Sequence, residues 1–194
     1  PIVADNTFLG PVYQNVLEHG ADIAVYSLTK YVGGHSDLVA GGATGSDVWM
    51  KPVRALRSAI GTQLDPNTAW MIMRSMETLM LRMERANTNA KIVADFLNTH
   101  PKIKSVWYLG FLPEGDPGQI VMDRQCRAPG STFSFEVVGG EAEAFKLLDN
   151  LQVVKLAVSL GGTETLASHP ASTTHSGVPL AIRDQLGVTD ALVR

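Results

Sequence analysis

Apolar residues fall along this chain first in short β-branched runs, then in a long stretch of helical spacing, then in short runs again. Ile2–Asp5, Ile23–Leu28 and Leu38–Thr44 are short, apolar and closed by polar or glycine residues, a pattern that predicts strands. Between the first two, Pro11–His19 predicts a short helix, with proline in its first turn and Gly20 as its stop. Asp47–Ile60 predicts a longer helix, capped by Asp47 and ended by Gly61. Strands separated by helices predict an α/β layer, in which ligands gather at the carboxyl ends of the strands.

From Asp65 to His100 the spacing changes. Met71, Met73, Met76, Leu79, Met80 and Met83, then Ile92, Val93, Phe96 and Leu97, recur at mostly helical intervals with arginine and glutamate between them. Pro66 suits a first turn and Pro101 marks a stop, so one long helix or two are predicted. The methionines read as core and subunit packing by flexible side chains, not as a functional stripe. Beyond Pro101, Ile103–Tyr108, Ser131–Val138 and Val153–Leu160 predict strands, with Phe133 and Phe135 on one face of the second. Gly110–Gly118 predicts a loop, and Glu141–Asn150 and Leu180–Leu186 predict helices. This half reads as a separate, smaller α+β unit. The boundary falls near residue 82, within the long helical region, giving units of 1–81 and 82–194.

Composition narrows the classes. With 45% hydrophobic and 18% charged residues the chain is a folded one. A net charge of −3 gives no sign of a nucleic-acid or membrane-surface partner. The apolar runs fall well short of the ~20 residues that a spanning helix needs. The single cysteine, Cys126, cannot make an internal disulfide, which suits a reducing, cytoplasmic compartment. The strand pattern is already under way at Pro1, and Arg194 follows directly on Ala191-Leu192-Val193, so the expectation is an internal piece of a longer protein.

The chemistry concentrates at Lys30. It lies just past the apolar run Ile23–Leu28, with Ser27 and Thr29 before it and Gly33-Gly34 after it. A lysine at a strand end flanked by hydroxyls is poorly placed for an ordinary solvated lysine. It suits a Schiff base, in which an imine replaces the ammonium that makes free lysine a poor nucleophile. The earlier run Ile2-Val3-Ala4 ends in Asp5. A lysine that holds an aldehyde and an acid that pairs with a pyridinium are the two groups a pyridoxal phosphate (PLP) site requires. The hydroxyls of Ser27 and Thr29, with the amides of the turn, can take its phosphate. The bland alternatives are a lysine snorkelling from a strand end and an Asx turn at Asp5-Asn6-Thr7.

The motifs Val3-Ala4-Asp5-Asn6-Thr7 and Ser27-Leu28-Thr29-Lys30-Tyr31-Val32-Gly33-Gly34-His35-Ser36-Asp37 resemble the Cys/Met-metabolism PLP enzymes, the trans-sulfuration family. So do Val158-Ser159-Leu160-Gly161-Gly162, Glu164-Thr165-Leu166, His169–Ser176 and Leu186-Gly187-Val188 through Arg194. The resemblance covers essentially the whole chain. It implies fold type I, here part of the large mixed-sheet α/β/α domain plus an incomplete, smaller C-terminal α+β domain. It implies that Lys30 is the PLP lysine, Asp5 the partner of the pyridine nitrogen, and Ser27 and Thr29 contacts of the phosphate. It further implies that Arg194, assisted by Ser159, clamps the substrate α-carboxylate, a bidentate task that suits a guanidinium. The expected activity is a carbon–sulfur lyase acting by γ-elimination on a sulfur amino acid, in a homotetramer built from dimers that share active sites.

Within that family, methionine γ-lyase-like members tend to carry an apolar residue at the position of Val158, and cystathionine γ-lyases a glutamate. An apolar wall suits a methylthio group, whereas an unpaired buried amine costs roughly 2–7 kcal/mol. The expectation is therefore methionine γ-lyase, with cystathionine γ-lyase or γ-synthase next and O-acetylhomoserine sulfhydrylase third. A reading of another class is a non-catalytic fragment with a role only in assembly. The other candidates lean structural. His169 and His175 lack a zinc-site pattern and read as loop histidines, and His35 and Asp37 as residues that fix the loop after Lys30. Cys126 lies among basic residues that would lower its pKa, without a catalytic partner. Gly41-Gly42 and Gly161-Gly162 read as sites of close backbone approach, since no nucleotide-type glycine motif follows a strand.

Overall fold

Val3–Asp5 (β1) and Ile23–Ser27 (β2) run parallel, paired Val3 to Ile23 and Asp5 to Val25, in the computed structural model, which describes residues 1–194. Because the pair is parallel, the two carboxyl ends lie at the same edge. Gly41–Gly45 (β3) adds antiparallel on the other side of β2, pairing Gly41 with Ser27. The segment predicted as one helix at Pro11–His19 is two short pieces. They are Gly10–Tyr13 (α1) and a 3₁₀ turn at Val16–His19 that ends on left-handed Gly20. Asp47–Ile60 (α2) has its predicted bounds, but Ser46 is the N-cap residue and Asp47 instead lies in the first turn, bridged to Arg54 at 3.4 Å.

The helical stretch divides into Pro66–Met76 (α3) and Leu79–Asn98 (α4). Asp65 caps α3 by accepting from the Thr68 amide at 3.0 Å, and the Thr68 hydroxyl, with that amide, holds its carboxyl below the ordinary value. The break has a physical cause. The Ser75 carbonyl takes the Thr78 amide at 3.2 Å, the Thr78 hydroxyl at 3.3 Å and the Arg82 guanidinium at 2.9 Å, which ends the regular ladder there. The methionines divide too. Met83 is buried, but Met73, Met76 and Met80 are exposed in this chain, so the core share of the stripe rests on Leu79, Ile72 and Met83.

The elements from β1 to α3 and the start of α4, with helix Pro117–Gln125 (α5), belong to one unit: Pro1–Ala86, Pro113–Gly130 and Gly161–Thr163. The α5 helix was not legible, because Pro117-Gly118 reads as loop. In the structure Asp116 caps it, accepting from Gly118 N at 2.7 Å.

The second unit is Asn87–Leu112, Ser131–Leu160 and Glu164–Arg194. Its sheet is antiparallel, in the order Ile103–Trp107 (β4), Ser134–Val137 (β5), Leu192–Val193 (β8). Phe135, Val137 and Val193 from the sheet meet Ala144 and Leu148 of Glu141–Asp149 (α6), and Phe133 packs beside them. The strand expected over Val153–Leu160 shrinks to Lys155–Leu156 (β6), paired parallel with Leu166–Ala167 (β7). Val153 and Val158 find no cover in this chain and stay exposed, so apolar content there does not make a strand. Leu180–Gln185 (α7) completes the unit.

One charge is buried in this sheet. The Glu136 side chain is 8% exposed and takes Lys104 Nζ at 3.0 Å, the Thr189 hydroxyl at 2.9 Å and the Ser105 hydroxyl at 3.4 Å. Burial pushes its carboxyl up, but the bonds from Lys104, Thr189 and Ser105, with the charge of Lys104, outweigh that and hold it below its ordinary value. A depressed carboxyl adds stability above the unfolded-state pKa and loses it as pH falls through the folded value. Glu136→Gln is therefore expected to lower the thermal midpoint at pH 7 by the equivalent of about 1–2 kcal/mol, with Lys104 too exposed to add more. The gap between variant and wild type should close as pH falls below about 4. A thermal-unfolding series from neutral to acid pH checks this, and a gap independent of pH would refute it.

Candidate active site

Lys30 sits on a tight turn that leaves the carboxyl end of β2. The Lys30 amide donates to Ser27 O at 3.2 Å, Gly33 N to Leu28 O at 2.7 Å and Gly34 N to Lys30 O at 2.7 Å. Tyr31 through Gly34 are buried, while Lys30 itself is half-buried. Gly161 packs against the same turn. Its φ is +82°, and a Cβ there would lie 2.5 Å from Tyr31 N and 2.8 Å from the Lys30 carbonyl carbon. No side chain fits without moving that backbone. The close approach expected at the second glycine pair occurs here.

Asp5 ends β1 beside β2. Its Oδ1 accepts from the Thr7 amide at 3.0 Å and from the Thr7 hydroxyl at 2.6 Å, and the Thr7 hydroxyl in turn accepts from Ser27 N at 2.8 Å. Thr7 thus ties the carboxylate to the start of the Lys30 turn and leaves Oδ2 open. Sequence reasoning saw the Asp5-Asn6-Thr7 turn only as a bland alternative. The signal for Thr7 was its spacing of two from Asp5, an Asx-turn spacing. Asn6, buried, donates from Nδ2 to Gly10 O at 3.0 Å and Gln14 O at 2.8 Å, holding α1 in place.

The two hydroxyls expected at a phosphate differ. The Thr29 hydroxyl accepts from Ala40 N at 3.0 Å and donates to Ala40 O at 3.3 Å, closing the loop between β2 and β3. The Ser27 hydroxyl takes no part in that network. Asp5, Ser27, Thr29 and Lys30 therefore come together in the first unit, around the carboxyl ends of β1 and β2.

Arg194 and Ser159 come together in the second unit. Arg194 follows β8, and its backbone pairs with Ser168 in both directions at 2.9 Å. Its Nη2 donates to Ser159 O at 2.9 Å, and Ser159 holds φ +126°, rare for a residue with a side chain and worth about 1–3 kcal/mol of strain. Arg194 also lines a cavity of about 350 Å³ with Trp107, Ser134, Thr174 and His175. His169 is buried. Its Nε2 donates to Asp190 O at 2.8 Å, its Nδ1 meets the Ser172 hydroxyl at 2.8 Å, and Phe145 stands edge-on to its ring. These contacts make it a structural pin between the 3₁₀ turn Pro170–Ser172 and the approach to β8. His35 bonds through Nδ1 to Gly33 O at 2.8 Å, within the Lys30 loop. Cys126 corrects the sequence reading. Burial pushes its thiol up, and the neighbouring arginines do not offset that.

The model of the Cys/Met metabolism PLP-dependent enzyme family matches residues 1–194. An L-methionine gamma-lyase of Fusobacterium nucleatum subsp. polymorphum is 45% identical over 195 residues, covering 100% of this chain and 49% of that protein. A cystathionine beta-lyase of Coxiella burnetii is 42% identical over 99% of this chain and 50% of that protein. A solved cystathionine gamma synthase from Xanthomonas oryzae pv. oryzae, in complex with aminoacrylate and cysteine, matches with a TM-score of 0.92 at 36% identity, over 98% of this chain and 49% of that one. The chain belongs to the Cys/Met metabolism family of PLP-dependent enzymes and has its mixed-sheet α/β fold. It spans about half the length of the relatives it matches.

The residues present fit the family's cofactor. Asp5 offers an acceptor oxygen that its own turn leaves open, Lys30 an amine, and Ser27 a hydroxyl outside the loop network, all around one sheet edge. Thr7→Val removes a charge-assisted bond from Asp5 and a partner from Ser27 N. In the full-length protein it should weaken PLP affinity about tenfold or more, with Thr7→Ser close to wild type. Equilibrium titration of the apo-protein with PLP measures this, and equal affinity in Thr7→Val would refute it.

Proposed function

We propose that the full-length protein is a PLP-dependent carbon–sulfur lyase that releases methanethiol from L-methionine by γ-elimination. The observation that carries this reading is the placement of Asp5 at, and Lys30 just past, the carboxyl ends of two adjacent parallel strands, joined through Thr7 and Ser27. Bound PLP supplies an electron sink for the pair left on the substrate Cα. The Asp5 carboxylate keeps a proton on the ring nitrogen. Ser27 and the amides of the turn take the phosphate, joined by Thr29 once its hydroxyl gives up Ala40 O. Arg194 receives the substrate α-carboxylate as a planar fork, with Ser159 beside it fixing one of its nitrogens. Lys30 Nζ takes the Cα proton and returns protons to the carbon chain while the thiolate leaves Cγ. The sum is methionine and water to methanethiol, ammonia and 2-oxobutanoate.

The first unit is read as part of the large, cofactor-binding domain and the second as most of the smaller α+β domain. The whole protein is read as a cytoplasmic homotetramer. Val158, apolar and next to Ser159, supports a methylthio substrate over the amine-bearing arm of cystathionine. The relative named L-methionine gamma-lyase supports the same choice, and the relative named cystathionine beta-lyase supplies the competing substrate.

Borohydride treatment of the purified full-length protein should fix the cofactor on Lys30, and Lys30→Ala should lower turnover by about a thousandfold or more. Methanethiol release from methionine, measured beside cystathionine cleavage, should be the faster reaction. Intact turnover in Lys30→Ala would overturn the enzyme reading, and a strong preference for cystathionine would overturn the substrate.

A further inference from the structure

The turn that carries Lys30 is buried from Tyr31 to Gly34, so each of its carbonyls needs a donor from within the protein. Leu28 O and Lys30 O receive Gly33 N and Gly34 N, both at 2.7 Å, and Gly33 O receives the His35 ring at 2.8 Å. The two carbonyls between them, on Tyr31 and Val32, receive no amide of the turn. Both are taken by one side chain from α4. Arg82 donates from Nη1 to Tyr31 O at 2.6 Å and from Nη2 to Val32 O at 3.3 Å.

The other side of the guanidinium is held as well. Nη2 donates to Ser75 O at 2.9 Å and Nε to the Thr78 hydroxyl at 3.0 Å, both in the break between α3 and α4. The plane of Arg82 is thus fixed from two sides, by a helix junction and by the Lys30 turn. Space for it depends on Gly34, which holds φ +70° and where a Cβ would lie 1.9 Å from Arg82 Nη1. A lysine ammonium has three donors on one atom and cannot reach both carbonyls and both helix-junction oxygens at once.

We propose that Arg82 is a positioning residue for Lys30. By closing the Tyr31 and Val32 carbonyls against the α3–α4 junction, it sets the tilt of the peptides that follow Lys30 and so the direction in which the amine is presented. This rests on Lys30 being the cofactor lysine. Misplacement of a reacting group by about 1 Å costs roughly a hundredfold in rate.

The test uses the full-length, PLP-loaded protein and the variants Arg82→Lys and Arg82→Ala. Borohydride reduction and peptide mapping of the wild type come first. Label on a residue other than Lys30 overturns the cofactor reading and this proposal with it. With label on Lys30, Arg82→Lys is expected to keep KM within about twofold while kcat falls about ten- to a hundredfold. The visible circular dichroism of bound PLP, which reports the setting of the ring, should change in the same variant. Apo Arg82→Lys should also capture PLP more slowly than wild type, with Arg82→Ala slower still. If both variants lose only thermal stability, with kcat, visible circular dichroism and capture rate as in wild type, Arg82 is structural glue alone and the proposal is overturned. Where Arg82→Ala does not fold, Arg82→Lys decides.

Discussion

A buried turn whose carbonyls from Lys30 to Gly33 are each met by a donor is the constraint on which the first unit depends. Residues 28–34 form neither a regular helix nor a strand, yet Tyr31 to Gly34 are out of solvent. An orphaned carbonyl there would cost about as much as a lost hydrogen bond or more. The solution draws on three parts of the chain. The turn's own amides close Leu28 and Lys30, His35 closes Gly33, and Arg82 closes Tyr31 and Val32. Gly161 then covers the turn at a distance no Cβ would allow. The same demand explains why the methionine-rich stretch breaks after Met76, since the Ser75 carbonyl serves the Arg82 side chain and Thr78 instead of an unbroken helix.

Parallel pairing does the rest of the positioning. With Asp5 opposite Val25, the acid and the lysine leave the sheet at one edge although 25 residues separate them in the chain. Thr7 bridges the two exits, bonding Asp5 on one side and Ser27 N on the other. A carboxylate held at one oxygen keeps its orientation while its second oxygen stays available, which a pyridinium partner demands.

The second unit obtains its order from a different kind of contact. Its short strands have few ladder bonds, so buried polar groups fix how they meet. Glu136 gathers Lys104, Ser105 and Thr189 onto the central strand, and His169 ties its turn to Asp190. Arg194 inherits that order through Val193, which is fully buried, and spends one nitrogen on the carbonyl of strained Ser159. A guanidinium anchored in this way loses less freedom on meeting a carboxylate than one free in solvent.

The strands that end at Asp5 and just before Lys30 were legible in the sequence, because short apolar runs closed by polar or glycine residues are local signals. The long helices were legible for the same reason. The rest depends on partners distant in the chain. Arg82 lies 51 residues from Tyr31 and looks like any surface arginine of an amphipathic helix. The strand expected at Val153–Leu160 looked as good as the one at Ile23–Leu28 but found only two residues of partner. Cys126, among arginines, looked activated until burial reversed the sign. Hydrophobic period and turn chemistry act over a few residues and so determine elements and their ends. Which carbonyl needs which donor, and which charge is desolvated, depends on the packing of segments far apart, and only the tertiary structure decides it.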